Sequence, residues 1–250
     1  MKKTLLLMAL VGVVGASEAL VWELPKPSRH GKEIYTLSKN ESAKVTFIDS
    51  QLKEKVLPIE EGGVALPRGM FDNYHALVAE YQNGAHYESA ITYIYRHGRP
   101  SNVSPVDLTN LKKAAFEIVP DPLAREHDRY TGSKSYRFWL KQAGQPVGGL
   151  LTLQSANGTT KEFTVNAKGY VDVTLPNDFK NVSSDRSGNM PSIFTLHASY
   201  QNEGKTYEST LTQQYWVNPN DYWRSEPYGV AVALLGFGLG VFFMRRTQRG

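Results

Sequence analysis

The sequence predicts an all-β protein made of two tandem antiparallel β-sandwich domains, followed by a C-terminal transmembrane helix. Short runs rich in Val, Ile, Thr, Tyr and Phe, separated by turn residues, fill the middle of the chain. Two similar words, "YQNGAHYES" at 81–89 and "YQNEGKTYES" at 200–209, occur in its two halves. An uncharged apolar run lies near the C-terminus. The short strands predict β-sandwiches, the repeated segment predicts two related domains, and the apolar run predicts the transmembrane helix.

Residues 1–19 are typical of a secretory signal peptide. Two lysines precede the apolar run "TLLLMALVGVVGA", and "SEA" supplies small residues at a cleavage position. Cleavage after Ala19 and cleavage after Ala16 both fit this pattern. We expect a bacterial exported protein whose mature chain begins near Leu20.

Residues 228–244, "YGVAVALLGFGLGVFFM", predict a transmembrane helix. A juxtamembrane segment with aromatic side chains, residues 220–227, precedes the helix, and an arginine-rich tail, residues 245–250, follows it. Under the positive-inside rule the tail is cytoplasmic. The domains before the helix are then expected in the periplasm, anchored to the bacterial inner membrane.

Gly236 and Gly240 form a Gly-x-x-x-Gly pair within this apolar run. Such a pair lets a second helix pack closely. It indicates either a simple glycine-rich anchor or a packing face for the span of a partner. The partner we expect is an inner-membrane transport protein.

Charge and cysteine content exclude several function classes. The formal net charge is +4, but the excess of basic residues lies in the predicted signal and tail, so the exported part is neutral. Binding to nucleic acid is therefore not expected. The chain has no cysteine, which excludes disulfides, thiolate metal ligands and thiol catalysis.

The exported part divides at its least patterned stretch, "RHGRPSNVSPVDLTNLKKA", which contains two prolines. We place an N-terminal β-sandwich at residues 20–99, a linker at 100–114 and a C-terminal β-sandwich at 115–219. The two similar words lie near the end of each half. Their positions indicate two related sandwiches.

Each word predicts a β-hairpin. "NG" at 83–84 predicts a two-residue type I′ turn that pairs Tyr81 with His86. "NEG" at 202–204 predicts a three-residue loop. That loop would absorb the extra residue of the second word and keep the same strand register in both hairpins.

Four tyrosines of these words are candidate ligand-binding residues: Tyr81, Tyr87, Tyr200 and Tyr207. Cross-strand aromatic pairs are also ordinary stabilisers of sheets, so a purely architectural role is the alternative.

Candidate metal ligands lie in "REHDRY", where Glu126, His127 and Asp128 form a compact group of donors. A solvated loop is the alternative, because a metal site also needs convergent geometry. The chain lacks the Gly-x-Ser-x-Gly, His-Glu-x-x-His and phosphate-loop motifs. We therefore expect no enzymatic activity.

Three motifs of the second half suggest a family. They are "EIVPDP" from Glu117 to Pro122, "GQP" at 144–146 and "TVNAKG" at 164–169. In this order they resemble the periplasmic DUF4198 family, which is associated with nickel and cobalt uptake. "GGVALPRGMFDNYHALVAEYQNG" is similar to that family's first half. The resemblance implies immunoglobulin-like or prealbumin-like sandwiches and an accessory role in the uptake of a transition metal. It does not identify a cofactor.

The expected function is a membrane-anchored periplasmic binding or scaffolding component of an uptake system for a transition metal or metal complex. One alternative is a structural or surface module of the envelope. In it, "SEP", the apolar run and the arginines would form a sorting tail similar to PEP-CTERM signals. An enzyme is a third interpretation, which would need Glu126, His127 and Asp128 to converge in a cleft.

Overall fold

The computed structural model describes residues 19–25, 33–39, 42–60, 63–67, 73–99, 101–125, 128–222, 229–237 and 244. The strands of the first half are β1 Trp22–Glu23, β2 Ile34–Leu37, β3 Lys44–Ile48, β4 Glu54–Leu57, β5 Val64–Ala65, β6 Asn73–Asn83 and β7 His86–Arg96. Those of the second half are β8 Phe116–Asp121, β9 Ser135–Gln142, β10 Gln145–Pro146, β11 Gly149–Ser155, β12 Thr160–Val165, β13 Tyr170–Thr174, β14 Pro191–Asn202 and β15 Lys205–Trp216. The helices are α1 Pro105–Asn110, α2 Pro219–Tyr222 and a helical stretch at 229–237. The prediction of an all-β protein is confirmed.

One large sheet runs through both halves of the chain. Its eight strands follow the order β12-β11-β14-β15-β7-β6-β3-β4. Neighbouring strands are antiparallel, except that β15 pairs with β7 in parallel. Because β7 belongs to the first half and β15 to the second, this parallel pair joins the two halves. The domain limits given above stay a prediction, but the halves that they separate share a sheet.

A smaller sheet covers each face of the large one. Ala76 and Val78 of β6 belong to a core that also contains side chains of β8, β9 and β13. Leu77 and Ala79, which alternate with them, belong to a second core formed with β1, β2 and β5. Successive side chains of a strand point to opposite faces. The described strands therefore form three β layers with two cores between them.

The larger core holds the two halves together. Phe194 on β14 is fully buried and meets the rings of Tyr130 and Tyr215 edge-on, at centroid distances of 5.2 and 6.0 Å. Ile91 and Tyr93 of the first half belong to the same core. Aromatic pairs of this kind stabilise by about 1 kcal/mol beyond their buried area.

The segment predicted as a linker contains helix α1. Ser104 caps this helix: its side chain accepts from the Val106 amide at 3.2 Å, and Asp107 accepts from the Ser104 amide at 3.0 Å. Leu108 lies in the larger core. The capping box and the buried leucine together hold the segment against the sheet.

The first hairpin turn differs from the prediction. Asn83 pairs with His86, so the two-residue loop is Gly84–Ala85 and not the predicted pair at 83–84. Gly84 has a φ of 58°, and it occupies the first central position, where a type II′ turn places glycine.

The second hairpin turn was also predicted wrongly. Asn202 pairs with Lys205, which leaves a loop of two residues, Glu203 and Gly204, rather than three. Their φ angles are 50° and 74°, as a type I′ turn requires. The extra residue of the second word therefore lies within the strand pairing. Tyr200 lies opposite Tyr207 in this hairpin, whereas Tyr81 lies opposite Glu88 in the first.

The C-terminal prediction is only partly covered by the described residues. In the helical stretch at 229–237 the large apolar side chains are exposed: Val230, Val232, Leu234, Leu235 and Phe237. A Cβ added to Gly236 would meet no atom within 4 Å, while Gly240 and most of the predicted signal peptide lie outside the described residues. No helix within the described ranges is both long and apolar enough to span a bilayer. The predicted transmembrane helix at 228–244 is thus not found there.

Candidate metal centre

The two Tyr-Glu-Ser words lie side by side at the parallel junction of the large sheet. They pair residue by residue: Tyr87 with Tyr207, Glu88 with Glu208, and Ser89 with Ser209. Paired residues of neighbouring strands point to the same face. The junction therefore presents two carboxylates on one face and two tyrosines and two serines on the other.

The tyrosine and serine face is closed by direct contacts. The rings of Tyr87 and Tyr207 stack at a centroid distance of 5.0 Å. The Ser89 hydroxyl lies 3.0 Å from the Ser209 Oγ and 2.6 Å from the carbonyl oxygen of Phe116. These contacts bind the junction to β8, the first strand of the smaller sheet in the second half.

Three of the four candidate tyrosines lie in register on neighbouring strands. Tyr207 lies opposite Tyr200 on one side and opposite Tyr87 on the other, and the ring of Tyr200 also stacks on Phe116 at 5.8 Å. Tyr81 lines a cleft of about 390 Å³ together with Tyr87 and other residues. The cleft is lined mainly by polar side chains, including Glu88 and Glu208. Ligand binding by the tyrosines stays a prediction.

On the other face of the junction, His86 lies close to the carboxylates of Glu88 and Glu208. His86 and Glu88 lie two residues apart on β7, hence on the same face, and their Nε2 and Oε1 atoms are 3.2 Å apart. Glu208 reaches the same place from β15. One ligand atom from each of the three side chains lies within 4.8 Å of the other two.

Glu88 is almost completely buried and is surrounded by donors. Its side chain is 3% exposed, and its oxygens accept from the Lys39 ammonium at 3.1 and 3.0 Å. The backbone amide of Leu20 donates to Oε2 at 3.0 Å. A buried carboxylate is destabilising unless it is paired and hydrogen-bonded. These donors supply that pairing.

Glu208 is held in its ionised form. Its pKa lies below the usual range, chiefly because of the His197 imidazole, whose Nε2 is 3.8 Å from Oε2. Partial burial opposes this shift, and the charges of His86 and Lys39 add to it. An ionised carboxylate beside two imidazoles is a suitable ligand for a divalent cation.

The donor set defines which metals could bind. Imidazole suits Zn, Fe and Ni, and carboxylate suits Mn. Ligand atoms at about 2.1 Å from a tetrahedral ion lie about 3.4 Å apart, so a spread of up to 4.8 Å closes with small side-chain rotations. His197 on β14 could supply a fourth ligand, and Lys39 would compete with the ion for Glu88.

Of the three metal ligands predicted from the sequence, only Asp128 belongs to the described residues. Glu126 and His127 fall outside the described residues. Asp128 is 79% exposed at its side chain, and its Oδ1 lies 3.7 Å from the Lys134 ammonium. Within the part of the chain that the structure describes, His86, Glu88 and Glu208 form the group with metal-ligand spacing. In the sequence, the only indication of this group is the glutamate that both Tyr-Glu-Ser tripeptides share. The two glutamates are brought together only by the parallel pairing of β7 with β15.

Comparison with known proteins gives no family. No family model matches the chain, and no curated protein matches it. One similar structure is a tetra-tandem repeat in the extending region of a large adhesion protein, with 13% identity and a TM-score of 0.24 over 79% of this chain and 49% of that one.

A second similar structure is Bacteroides ovatus SGBP-B of a mixed-linkage glucan utilization locus, solved in complex with a mixed-linkage heptasaccharide. It has 12% identity and a TM-score of 0.19 over 79% of this chain and 47% of that one. This chain thus spans about half the length of each structure. Both TM-scores lie below 0.5.

Proposed function

We propose that the protein is an exported, membrane-anchored and non-enzymatic binding component of a transition-metal uptake system in a bacterial envelope. In this proposal His86, Glu88 and Glu208 bind the ion. The observation that carries it is the convergence of these side chains, with ligand atoms within 4.8 Å of one another. Two strands from different halves of the chain supply them, so the junction and the site form together.

The nature of the ligands favours Zn²⁺, Mn²⁺, Co²⁺ or Ni²⁺ over soft copper(I). One imidazole and two carboxylates are nitrogen and oxygen donors, whereas copper(I) selects thiolates and thioethers. The lowered pKa of Glu208 keeps that ligand ionised well below neutral pH. Binding would still be weakened by acid, because the imidazoles must be neutral to coordinate a metal.

The binding experiment uses the purified full chain in detergent. Calorimetric titration with each of the four ions is expected to give saturable binding of at least one of them at pH 7.5. Glu208→Gln and His86→Ala should each weaken that binding by at least tenfold, since each removes one ligand. Glu162→Gln, which changes an exposed carboxylate on β12, is the matched control and should bind like the native protein.

Two results would overturn the metal assignment. One is the absence of binding of all four ions to the folded native chain. The other is equal affinity in the native protein, Glu208→Gln and His86→Ala, which would place the ion elsewhere. Circular dichroism of each variant establishes that it is folded.

The anchor and the partner belong to the same proposal. The exposed apolar side chains at 229–237 and the arginines that follow in the sequence support insertion into the inner membrane. Affinity purification from detergent-solubilised membranes is expected to recover an inner-membrane transport protein. Recovery of the chain alone, under conditions that preserve known transporter complexes, would contradict this part.

The C-terminus distinguishes an anchor from a sorting tail. Intact mass spectrometry of the protein from its native membrane is expected to find residues 228–250 present. Their loss would instead support the structural or surface module. This measurement does not depend on metal binding, so each part of the proposal can fail alone.

A further inference from the structure

Leu20, just before strand β1, lies against a charged site. Leu20 is 2% exposed, and its backbone nitrogen donates to Glu88 Oε2 at 3.0 Å. Its carbonyl oxygen accepts from the Thr210 hydroxyl at 2.6 Å. Two residues on, the Trp22 indole donates to the carbonyl oxygen of Ala90 at 2.9 Å. Leu20 and Trp22 are thus fixed against β7 and β15.

The sequence places a cleavage pattern directly before this point. Ser17 and Ala19 are the small residues at the third and first positions before Leu20, as export peptidases require. Cleavage after Ala16 fits the same rule and would leave Leu20 with an ordinary amide nitrogen. Only the cut before Leu20 would put a new amino group against the buried Glu88 carboxylate.

We propose that the chain is cut between Ala19 and Leu20, and that the new α-ammonium of Leu20 forms a buried ion pair with Glu88. The reaction is a hydrolysis by the cell's export peptidase. Water supplies a hydroxyl to the Ala19 carbonyl carbon and a hydrogen to the Leu20 nitrogen, and the peptide bond breaks. At neutral pH the free amine takes up a further proton.

The surroundings of Glu88 accommodate the added charge. The junction holds two carboxylates, Glu88 and Glu208, and the cations around them are Lys39 and the histidines when protonated. Lys39 contacts both oxygens of Glu88, His86 faces Oε1 and the Leu20 nitrogen faces Oε2. A Leu20 ammonium therefore adds a positive charge where two negative charges lie close together.

Cleavage changes one of the neighbouring contacts and keeps the other. The Ser38 hydroxyl donates to the Ala19 carbonyl oxygen and accepts from the Val21 amide, both at 2.9 Å. Losing Ala19 removes the first contact and keeps the second. The proposal does not depend on metal binding, because Oε2 serves the amino terminus and Oε1 remains beside His86.

The first test is the mature N-terminus. The full precursor is produced in an exporting bacterium, and the membrane-bound product is analysed by N-terminal sequencing and intact mass. Leu20 is expected as the first residue. A product that begins at Ser17, or that keeps the whole of 1–19, overturns the proposal whatever the metal titrations show.

The second test measures the ion pair in the same mature protein. Limited acylation at pH 7, followed by peptide mass spectrometry, gives the labelling rate of the Leu20 amine. We expect labelling at least tenfold slower in the native protein than in Glu88→Gln. Glu208→Gln, which leaves the Leu20 contact intact, is the matched control and should stay protected. Equal rates in the native protein and Glu88→Gln overturn the proposal.

If Glu88→Gln fails to fold, a second variant can be used for the labelling measurement. Thr210→Val removes the hydroxyl that holds the Leu20 carbonyl and leaves Glu88 in place. Its labelling rate is expected between that of the native protein and that of the protein unfolded in urea. A native rate equal to the unfolded rate would overturn the proposal without any variant.

Discussion

Tyr87 and Tyr207 stack across the parallel strands that join the two halves, with their ring centroids 5.0 Å apart and their planes 18° from parallel. They are the first residues of the two Tyr-Glu-Ser tripeptides at 87–89 and 207–209. The stack therefore aligns the words at the junction, and Glu88 and Glu208 follow on the opposite face. The same contact that fixes the register also assembles the candidate metal ligands.

Mutation of this pair is expected to reveal coupling between the halves. Tyr87→Leu and Tyr207→Leu keep apolar volume but remove the stack, which contributes about 1 kcal/mol beyond burial. A double-mutant cycle measured by urea unfolding should give a coupling free energy of roughly 0.5 to 1.5 kcal/mol. Pairing Tyr207→Leu with Tyr170→Leu, whose ring contacts Trp139 at a tilt instead, should give none. A coupling near zero for the first cycle would contradict the role assigned to the stack.

The fold class could be predicted because it depends on local pattern. Alternating side chains such as those of β14 and the turn residues near each hairpin are visible in the sequence. The parallel pairing of β7 with β15 could not be predicted, because about 120 residues separate the strands and no local rule links them. The His86, Glu88 and Glu208 cluster depends on that pairing, so it was missed as well.

The second hairpin turn shows the same limit on a smaller scale. "NEG" was predicted as a three-residue loop because such a loop would absorb the extra residue and keep the register of the first hairpin. Glutamate is also unfavourable at positive φ. The structure nevertheless places Glu203 at a φ of 50°. The alignment of Tyr207 with Tyr87 shows the non-local constraint on this strand, which local turn preference does not include.

Glu203→Asn should therefore stabilise the protein. Asparagine tolerates the left-handed conformation better than glutamate, and Asn-Gly is the preferred type I′ pair. We expect the free energy of unfolding to rise by about 0.5 to 1 kcal/mol. Glu203→Gln, which removes the charge but not the strain, should change it little. A gain in the glutamine variant equal to that in the asparagine variant would indicate a charge effect instead.

Lys113 and Glu117 form a buried ion pair in the larger core. The two charged atoms are 3.0 Å apart, and both side chains are at most 1% exposed. Burial raises the pKa of Glu117 and lowers that of Lys113, while their mutual attraction opposes both shifts. Lys113→Met leaves the carboxylate unpaired and should destabilise by about 3 to 5 kcal/mol.

A double variant without either charge shows whether the attraction between Lys113 and Glu117 exceeds the free-energy cost of burying them. Lys113→Met with Glu117→Leu should recover most of the stability, because apolar replacements of buried pairs are often neutral. Guanidinium unfolding of the two single variants and the double variant measures this. A double variant as unstable as the sum of the single variants would show that the two residues act independently.

Asp178 should make stability depend on acid pH. Partial burial opposes ionisation, but hydrogen bonds from Ser155, Tyr215, Thr159 and Asn157 outweigh it and lower its pKa to about 2. Because the folded pKa lies below the unfolded value, the stabilisation is present above about pH 4 and is lost as pH falls towards 2. For so exposed a group we expect about 1 kcal/mol.

Asp178→Asn checks this dependence. Urea unfolding should find the variant about 1 kcal/mol less stable than the native protein at pH 5, with the difference disappearing near pH 2. Asp172→Asn, which removes an exposed partner of Arg137, controls for the general effect of losing a carboxylate. A difference for Asp178→Asn that is the same at both pH values would assign its effect to packing rather than charge.

Lys39 is expected to set the affinity of the proposed metal site. Its ammonium contacts both oxygens of Glu88, so an ion that binds Glu88 must displace it. Lys39→Met removes this competitor and leaves a buried carboxylate without that charge partner, which destabilises the empty protein and favours the ion. Titration against a competing chelator should show affinity raised by about tenfold, which corresponds to about 1.4 kcal/mol. Lys205→Met, on the opposite face over the Tyr87 ring, should leave the affinity unchanged. Weaker binding in Lys39→Met than in the native protein would mean that the lysine orients Glu88 for the metal rather than competing with it.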